Sequence, residues 1–254
     1  MSTVQIHRRQ LIWGALSLAA LPSQVWAFGS SSKVDIAELD FGAGTLARPN
    51  AWRRLLFDVE ATTSVEIEPR AVHLPPDDPS LFEHPFAVLC GDGAFEIPSE
   101  KGLEQLSRYL SYGGFLLCDD ASAGGDSGFY ESVKRLTRAI FPTRSLTPIP
   151  SDHSVYRSFF LIQRPMGRLD RYPYLEGVTV GNLSPVIVCR NDLSGALERG
   201  QSGLHTYPCV PGGERQRREA VKLGVNLMMY SLTANYKRDQ VHVKELILKG
   251  RVTE

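Results

Sequence analysis

The sequence has no excess of charge of either sign. Its 254 residues include 28 Lys and Arg against 28 Asp and Glu, so the formal net charge is zero. No basic stripe is present, which argues against a nucleic-acid partner. Hydrophobic residues make up 43% and charged residues 22%, a composition typical of a globular protein rather than a membrane-embedded one.

Signatures of common metal and cofactor sites are also missing. The four cysteines form no C-x-x-C pair, which argues against a zinc site. The glycine loop SAGGDSG at 122–128 is neither G-K-[ST] nor G-x-G-x-x-G, so we expect no nucleotide cofactor. The first predicted strand has no D-x-D, which weakens a phosphatase interpretation. No internal repeat is found.

One apolar run stands out at the N-terminus. Residues 1–27 place Arg8 and Arg9 before the run Leu11–Leu21, which is too short to span a bilayer, and end at Ala27 in a small-residue cleavage site. They predict a signal peptide, and the paired arginines favour the twin-arginine route. We therefore expect a periplasmic or otherwise exported protein that meets the export machinery in transit and has no stable membrane insertion after cleavage. The alternatives are a general secretory signal and an uncleaved anchor.

Export would place the cysteines in an oxidising compartment. An even number permits one or two disulfides, and four cysteines allow three complete pairings. Cys90, Cys118 and Cys189 each end a buried apolar strand, where a small apolar side chain is the simpler interpretation. Twin-arginine export carries folded proteins, which would favour reduced cysteines in the core.

Apolar strands alternate with amphipathic helices along the rest of the chain. Helices are predicted after the N-caps Asn50 and Ser99, from about Phe129 to Phe141 with Asp126 or Ser127 as the cap, and from about Glu214 to Thr233. Strands are predicted at 34–41, within 64–74, where Pro69 interrupts the run, at 85–90, at 115–118 and at 184–189. Strands of continuous apolar residues are typical of a parallel sheet buried on both faces. We therefore predict an α/β fold, a flavodoxin-like doubly wound, mainly parallel sheet with helices on both faces.

The predicted boundaries give one folded domain. Residues 28–33 are a polar linker, 34–236 a single α/β domain, and 237–254 a C-terminal extension that could add a short strand. Residues 142–182 are a long irregular connection rich in Pro, Arg and Tyr. A connection of that length inside a compact domain often has a function.

Polar residues follow several predicted strands. Ligands in doubly wound folds bind beyond the carboxyl ends of the strands, which here carry a set of candidate ligand-binding residues: Asp92, Asp119, Asp120, Asn191, Asp192 and Glu198. Crowded carboxylates share protons, bind a cation or accept from donors such as sugar hydroxyls. If a metal is bound, Mg²⁺ or Ca²⁺ would suit Asp119, Asp120 and Asp192. The alternative is that these carboxylates cap helices and turns.

Catalysis would require an acid–base pair. Asp120 and His153 are the candidates, with His153 in the long connection; a turn-stabilising role for His153 is the alternative. Cys118 is a poor candidate nucleophile because Asp119 and Asp120 disfavour its thiolate. Asn226 interrupts an apolar helix face and is predicted to be a buried amide that ties the helix to a loop.

The run from PFAVLCGDG through SEKGLEQLSRYLSYGGFLLCDD resembles a family of exported bacterial domains of unknown function. So do SDHSVYRSFF, VCRNDLSGALE and KLGVNLMMYSLT. The resemblance covers nearly all of residues 34–233 and implies the class I glutamine-amidotransferase-like fold, but no chemistry. The segment 151–155 is more distantly similar to a turn of trehalose-utilisation-type proteins.

The sequence departs from true glutamine amidotransferases. Those enzymes have a nucleophilic Cys at a strand-to-helix elbow and a His-x-Glu pair downstream. Here the elbow is expected near Asp120 rather than Cys118, and no His-x-Glu follows. We therefore expect an exported domain that binds a small polar ligand, a carbohydrate or envelope fragment. The alternatives are a hydrolase using Asp120 and His153, and a non-catalytic envelope assembly or interaction protein.

Overall fold

The computed structural model describes residues 33–122, 125 and 127–248, with side chains as far as residue 234. The predicted signal peptide and Asp126 lie outside the described residues. The described residues form one compact unit. None of the described helices is long and apolar enough to cross a membrane.

Strands and helices alternate along the described residues. In chain order they are β1 (Val34–Leu39), α1 (Ala51–Thr62), β2 (Ile67–Leu74), β3 (Phe86–Gly91), α2 (Glu100–Ser111), β4 (Phe115–Asp120), α3 (Phe129–Ile140), β5 (Thr147–Pro148), β6 (Glu176–Val180), β7 (Leu183–Cys189), α4 (Leu193–Leu197) and α5 (Gly213–Leu248). Short 3₁₀ turns lie at Pro79–Glu83 and Ser154–Arg157.

The strands form one sheet in the order β2-β1-β3-β4-β7-β6-β5. The first five of these are parallel, and β6 and β5 are antiparallel additions at one edge. The order 2-1-3-4 followed by β7 is the flavodoxin-like arrangement, so the predicted fold class is confirmed. Pro69 is tolerated in β2 because β2 is an edge strand, where a missing N–H leaves no ladder bond unmade.

The two faces of the sheet support separate apolar layers. On one face α1, α4 and α5 pack around Trp52, Leu117 and Tyr230, and on the other α2 and α3 pack around Leu89 and Phe129. Successive residues of a strand point to opposite faces, so the continuous apolar runs are needed to fill both layers. The burial of these strands on both faces agrees with the sequence pattern.

Helix α2 begins as predicted. The hydroxyl of Ser99 accepts a hydrogen bond from the N–H of Gly102 at 3.3 Å. Helix α3 begins at Phe129, as predicted, and the Ser127 hydroxyl accepts from the N–H of Phe129 at 3.4 Å. The residue directly before the helix is Gly128, whose backbone is left-handed (φ 80°), a conformation that favours glycine. An added Cβ there would lie 2.9 Å from the Cβ of Ala94.

Two expectations about regular structure were wrong. The connection 142–182 is not wholly irregular, because it contains β5 and β6. Both strands are short. They extend the sheet beyond β7 in the antiparallel direction, so their strand conformation depends on pairing with a neighbouring strand rather than on local sequence. The described residues after 237 form no strand, since α5 continues to Leu248. Extending an existing helix costs less than starting a new element.

The amide of Asn226 has the predicted role. Its Oδ1 accepts from the N–H of Phe160 at 2.7 Å, and its Nδ2 donates to the carbonyls of Val155 and Phe160 at 2.9 and 2.8 Å. The buried amide therefore ties α5 to the long connection.

Candidate functional site

A buried row crosses three neighbouring strands near their carboxyl ends. Asp119 of β4 is in register with Cys90 of β3 on one side and Cys189 of β7 on the other. All three are buried and face the layer of α1, α4 and α5. Asp120, the next residue, points to the opposite face. The two adjacent carboxylates therefore belong to different environments.

Asp119 holds the start of α4. Its carboxylate accepts hydrogen bonds from the N–H groups of Leu193 and Ser194 at 2.9 and 2.8 Å, and from the Ser194 hydroxyl. These groups are free at a helix start because they have no intrahelical acceptor. Asp119 is thus a structural acceptor from a neighbouring strand.

Asp192 forms the sharp turn between β7 and α4. Its backbone is left-handed (φ 53°), and its Oδ1 accepts from the N–H of Gly195 at 2.8 Å. Aspartate is among the few non-glycine residues that adopt this conformation readily. The left-handed strand-to-helix turn therefore lies at Asp192, after β7.

Two arginines converge on the buried Asp192 carboxylate. Nη2 of Arg48, from the loop between β1 and α1, lies 3.1 Å from Oδ2, and Nε of Arg168, from the long connection, bonds to the same oxygen. Arg48 also donates to the carbonyl of Ala121 at 3.2 Å and to the hydroxyl of Tyr207 at 3.3 Å. Loops far apart in sequence thus meet above β4 and β7.

Tyr207 completes this group, which we call the arginine cluster (Arg48, Arg168, Asp192 and Tyr207). The guanidinium carbons of Arg48 and Arg168 lie 4.3 and 5.8 Å from its ring centroid. The side chain of Arg168 is 23% exposed, and its two terminal nitrogens have no acceptor among the described residues. Of the cluster, only Asp192 was a sequence candidate; the available signal was the arginine content of 142–182.

Burial and charge alter the protonation of Asp119. Burial first, and then the negative charge of Asp192, raise the pKa of Asp119 to about 7, against the lowering effect of its bonds from Ser194. Asp119 therefore holds a proton up to near neutral pH.

Another buried acid was not among the candidates that the sequence suggested. Glu38 of β1 is 1% exposed, and burial together with the charge of Glu198 raises its pKa to about 8. Its Oε2 lies 3.9 Å from Nε2 of His73, and its Oε1 has no hydrogen-bond partner among the described residues. The available signal was an acidic residue near the end of the predicted strand VDIAEL.

The other candidate ligand-binding residues are dispersed or already engaged. Asp120 is buried and accepts from the N–H of Ser122 at 3.0 Å, whereas Asp92 is exposed. Glu198 accepts from the backbone and side-chain nitrogens of Asn50, each at 3.1 Å. Asn50 is at the N-cap position of α1, as predicted, but its side chain makes no capping hydrogen bond and donates to Glu198 instead.

Asn191 anchors the long connection. Its Oδ1 accepts from the N–H groups of Arg171 and Tyr172 at 3.1 and 2.9 Å. Its Nδ2 donates to the carbonyls of Pro165 and Tyr172 at 3.1 and 2.7 Å. The amide has no capacity left for a ligand, but it positions the segment that carries Arg168.

His153 lies at the other end of the sheet. It begins the 3₁₀ turn Ser154–Arg157, and its Nε2 lies 3.3 Å from Oγ of Ser184. Ser184 is at the start of β7, about 17 Å of strand away from Cys189 at its end. The structure does not bring His153 together with Asp120, and it places His153 in a turn.

The described residues form neither a reactive thiol site nor a metal site. All four cysteines are free and buried, and burial raises the pKa of Cys118 above its ordinary value. Among the described residues, no three His, Cys, Asp or Glu side chains are grouped so as to hold a metal ion. Asp192 in this arrangement binds guanidinium groups instead.

Backbone fills the crevice between β1 and β3, where ligands of this fold class commonly bind. The N–H of Gly93 donates to the carbonyl of Gly44 at 3.3 Å, and Thr45 and Gly91 form an isolated antiparallel β-bridge. A Cβ on Gly44 would lie 2.4 Å from the carbonyl oxygen of Ala94. The partly exposed polar groups at this edge therefore lie further along, at β4 and β7.

The fold and the arginine cluster together define a flavodoxin-like α/β domain with a buried carboxylate, Asp119, between two cysteines at its strand ends. The family model described as "Domain of unknown function (DUF4159)" matches residues 35–232. The chain belongs to this family, and the expected membership in a family of domains of unknown function is confirmed. No curated protein matches the chain.

Proposed function

We propose that this domain binds a small polar ligand through an anionic group, a carboxylate or a phosphate, at the carboxyl ends of β4 and β7. An acidic carbohydrate or a charged envelope fragment has this chemistry. The observation that carries the proposal is the convergence of Arg48 and Arg168 on Asp192, with the terminal nitrogens of Arg168 without an acceptor among the described residues.

The buried carboxylates have a supporting role in this proposal. Asp192 is fully buried and fixes the orientation of both guanidinium groups before a ligand arrives. A planar guanidinium matches the two oxygens of a carboxylate or phosphate, and holding it in place lowers the entropy lost on binding. The ring of Tyr207 gives a flat surface beside the same groups.

The charges of the cluster favour an anion. Two guanidinium groups face the single negative charge of Asp192, and the raised pKa of Asp119 reduces the negative charge that the neighbouring carboxylate contributes near neutral pH. The positive excess supports an anionic partner rather than a metal cation.

Binding has more support than hydrolysis. Both oxygens of Asp119 and of Asp192 are already engaged by groups of the protein, and both side chains are fully buried. The Asp120–His153 pair is divided between two ends of the sheet. A purely structural role in envelope assembly is the alternative, and it predicts no ligand affinity at the arginine cluster.

Calorimetric titration with a uronic acid, a sugar phosphate and their neutral parent sugar tests the proposal. We expect the charged sugars to bind and the neutral sugar to bind at least about tenfold more weakly, since one charged hydrogen bond contributes roughly 1.5–3 kcal/mol. Arg168→Gln should remove binding. Arg164→Gln, in an exposed ion pair with Asp170, is the matched control. Equal binding of neutral and charged sugars would contradict the proposal.

We also infer that the protein is exported and that its sheet belongs to the class I glutamine-amidotransferase-like group. Residues 1–27 support export, and the parallel order β2-β1-β3-β4-β7 supports the structural group. The mass of the protein purified from the cell envelope tests cleavage after Ala27, and an intact Met1 would count against it. A crystal structure compared with amidotransferase domains tests the second inference.

A further inference from the structure

A groove on the helical face of α1, α4 and α5 is separate from the arginine cluster. Its volume is about 390 Å³, within the range of small-molecule sites. We call it the α1–α5 groove and define it by its lining residues: Arg54, Asp58, Thr62, Phe160, Leu197, Arg199, His205, Glu214, Arg217, Arg218, Val221 and Lys222.

The groove has an apolar part and a basic part. Phe160, Leu197 and Val221 belong to the hydrophobic layer beneath it, with Leu197 buried and the other two partly buried. Five of the lining side chains are Arg or Lys, and two are acidic. A ligand that fits both parts has an apolar body and a negative charge.

Three of the five basic side chains already have carboxylate partners. Arg54 pairs with Asp58 at 2.7 Å, Arg217 with Glu214 at 2.9 Å, and Lys222 with Glu219 at 2.8 Å. Within the described part of the chain, Arg199 and Arg218 have no carboxylate partner.

Arg199 and Arg218 are thus the groups available for an anion. Neither forms an ion pair with a described carboxylate. Arg199 uses one terminal nitrogen on the carbonyl of Gly203 at 2.9 Å, and Arg218 is exposed. A head group with one or two negative charges would neutralise the positive charges of these two arginines.

The protonation of His205 is consistent with a positive groove. Burial first, and then the charges of Arg217 and Arg199, lower the pKa of His205 below its ordinary value. An anion bound near these groups would reverse part of that effect.

We propose that the α1–α5 groove binds a small organic anion with an apolar body, such as a medium-chain carboxylate or an alkyl phosphate. Arg199 and Arg218 bind the head group, and Phe160, Leu197 and Val221 contact the body. This site is distinct from the arginine cluster at the strand ends, and neither proposal requires the other.

Calorimetric titration of the purified protein with octyl phosphate and octanoate tests the groove. Octanol supplies the apolar body without charge, and inorganic phosphate supplies charge without the body. We expect octyl phosphate to bind at least about tenfold more tightly than either, because both parts of the groove contribute. Comparison of octanoate with octyl phosphate identifies the preferred head group. Octanol binding as tightly as both anions would overturn the proposal.

Substitutions of single arginines test whether the probe binds in the α1–α5 groove. Arg218→Gln and Arg199→Gln should each weaken octyl phosphate binding about tenfold, as expected for one charge-assisted hydrogen bond. Arg218 is exposed, so that variant should keep its fold. Arg215→Gln, at an exposed position of α5 outside the groove, is the control and should bind normally. Equal affinity in all three variants would overturn the assignment even if the protein binds the probe.

Discussion

Nη2 of Arg48 lies 3.1 Å from Oδ2 of Asp192, although 144 residues separate them in the chain. This ion pair joins the loop after β1 to the turn after β7, across the ends of β3 and β4. The buried carboxylate also bonds to Arg168, so one side chain holds two loops. The arginine cluster therefore forms only when the sheet is complete.

Asp192→Asn should destabilise the fold. The substitution removes the negative charge between two arginines and leaves two partly buried cations close together, at a cost of roughly 3 kcal/mol. Urea unfolding followed by circular dichroism measures the change. Asp92→Asn is the control, because Asp92 is exposed and should change stability by less than about 0.5 kcal/mol. Equal stability of the two variants would show that the ion pairs contribute little.

Glu38 should make the protein less stable as pH rises. Its pKa is about 8 in the folded protein against an ordinary 4.5, so the folded state keeps a proton that the unfolded chain releases. The stabilisation is complete below about pH 4.5 and is lost as pH rises towards about 8. The charge of Glu198 adds to the effect, and His73 at 3.9 Å opposes it when protonated.

Glu38→Gln tests this pH dependence. The variant should lose less stability than the parent between about pH 5 and pH 8, by roughly 1 kcal/mol or more. Denaturant unfolding at several pH values measures the slope. Glu68→Gln, at an exposed position of β2, should leave the slope unchanged. Parallel pH profiles for the parent and Glu38→Gln would contradict the prediction.

Gly44 and Gly42 should respond very differently to alanine. Both have a φ of 84°, so each variant carries a similar backbone strain of about 1 kcal/mol. A Cβ at Gly44 would also lie 2.4 Å from the carbonyl oxygen of Ala94, whereas none lies within 4 Å at Gly42. Gly44→Ala should therefore cost about 1–3 kcal/mol more than Gly42→Ala in thermal or urea unfolding. Equal costs would mean that the loop containing Gly44 moves away from Ala94 at little cost in free energy.

The cysteines should react only after unfolding. All four are free and buried, and burial raises the pKa of Cys90, Cys118 and Cys189. Iodoacetamide should therefore add almost nothing to the native protein within minutes and four groups in denaturant, as counted by mass spectrometry. Rapid labelling of the native protein, or fewer than four additions in denaturant without a reductant, would contradict this prediction.

The sequence was informative about elements whose pattern is local. Continuous apolar runs predicted β3, β4 and β7, and the hydroxyl of Ser99 predicted the start of α2, because burial on both faces and helix capping each depend on a few neighbouring residues. The role of Asn226 also followed from its position, since an amide on an apolar helix face needs partners.

The candidate site was predicted only in part. Because Asp119 and Asp192 follow apolar runs, the sequence correctly predicted that both lie at one edge of the sheet. It did not predict that Asp119 and Asp120 point to opposite faces of β4 and have different partners. Arg48 and Arg168 were missed because their partner lies on another loop, and no local pattern marks an ion pair across the sheet.

The sequence by itself determined the α/β class, the parallel core and the edge at which polar groups gather, since these follow from hydrophobic periodicity and strand direction. Only the tertiary structure decided which of those groups meet. It separated His153 from Asp120, joined Asp192 to two distant arginines and raised the pKa of Asp119 and Glu38 by burial. Burial and long-range pairing are properties of the packed chain, so they appear only when the sheet and its loops are assembled.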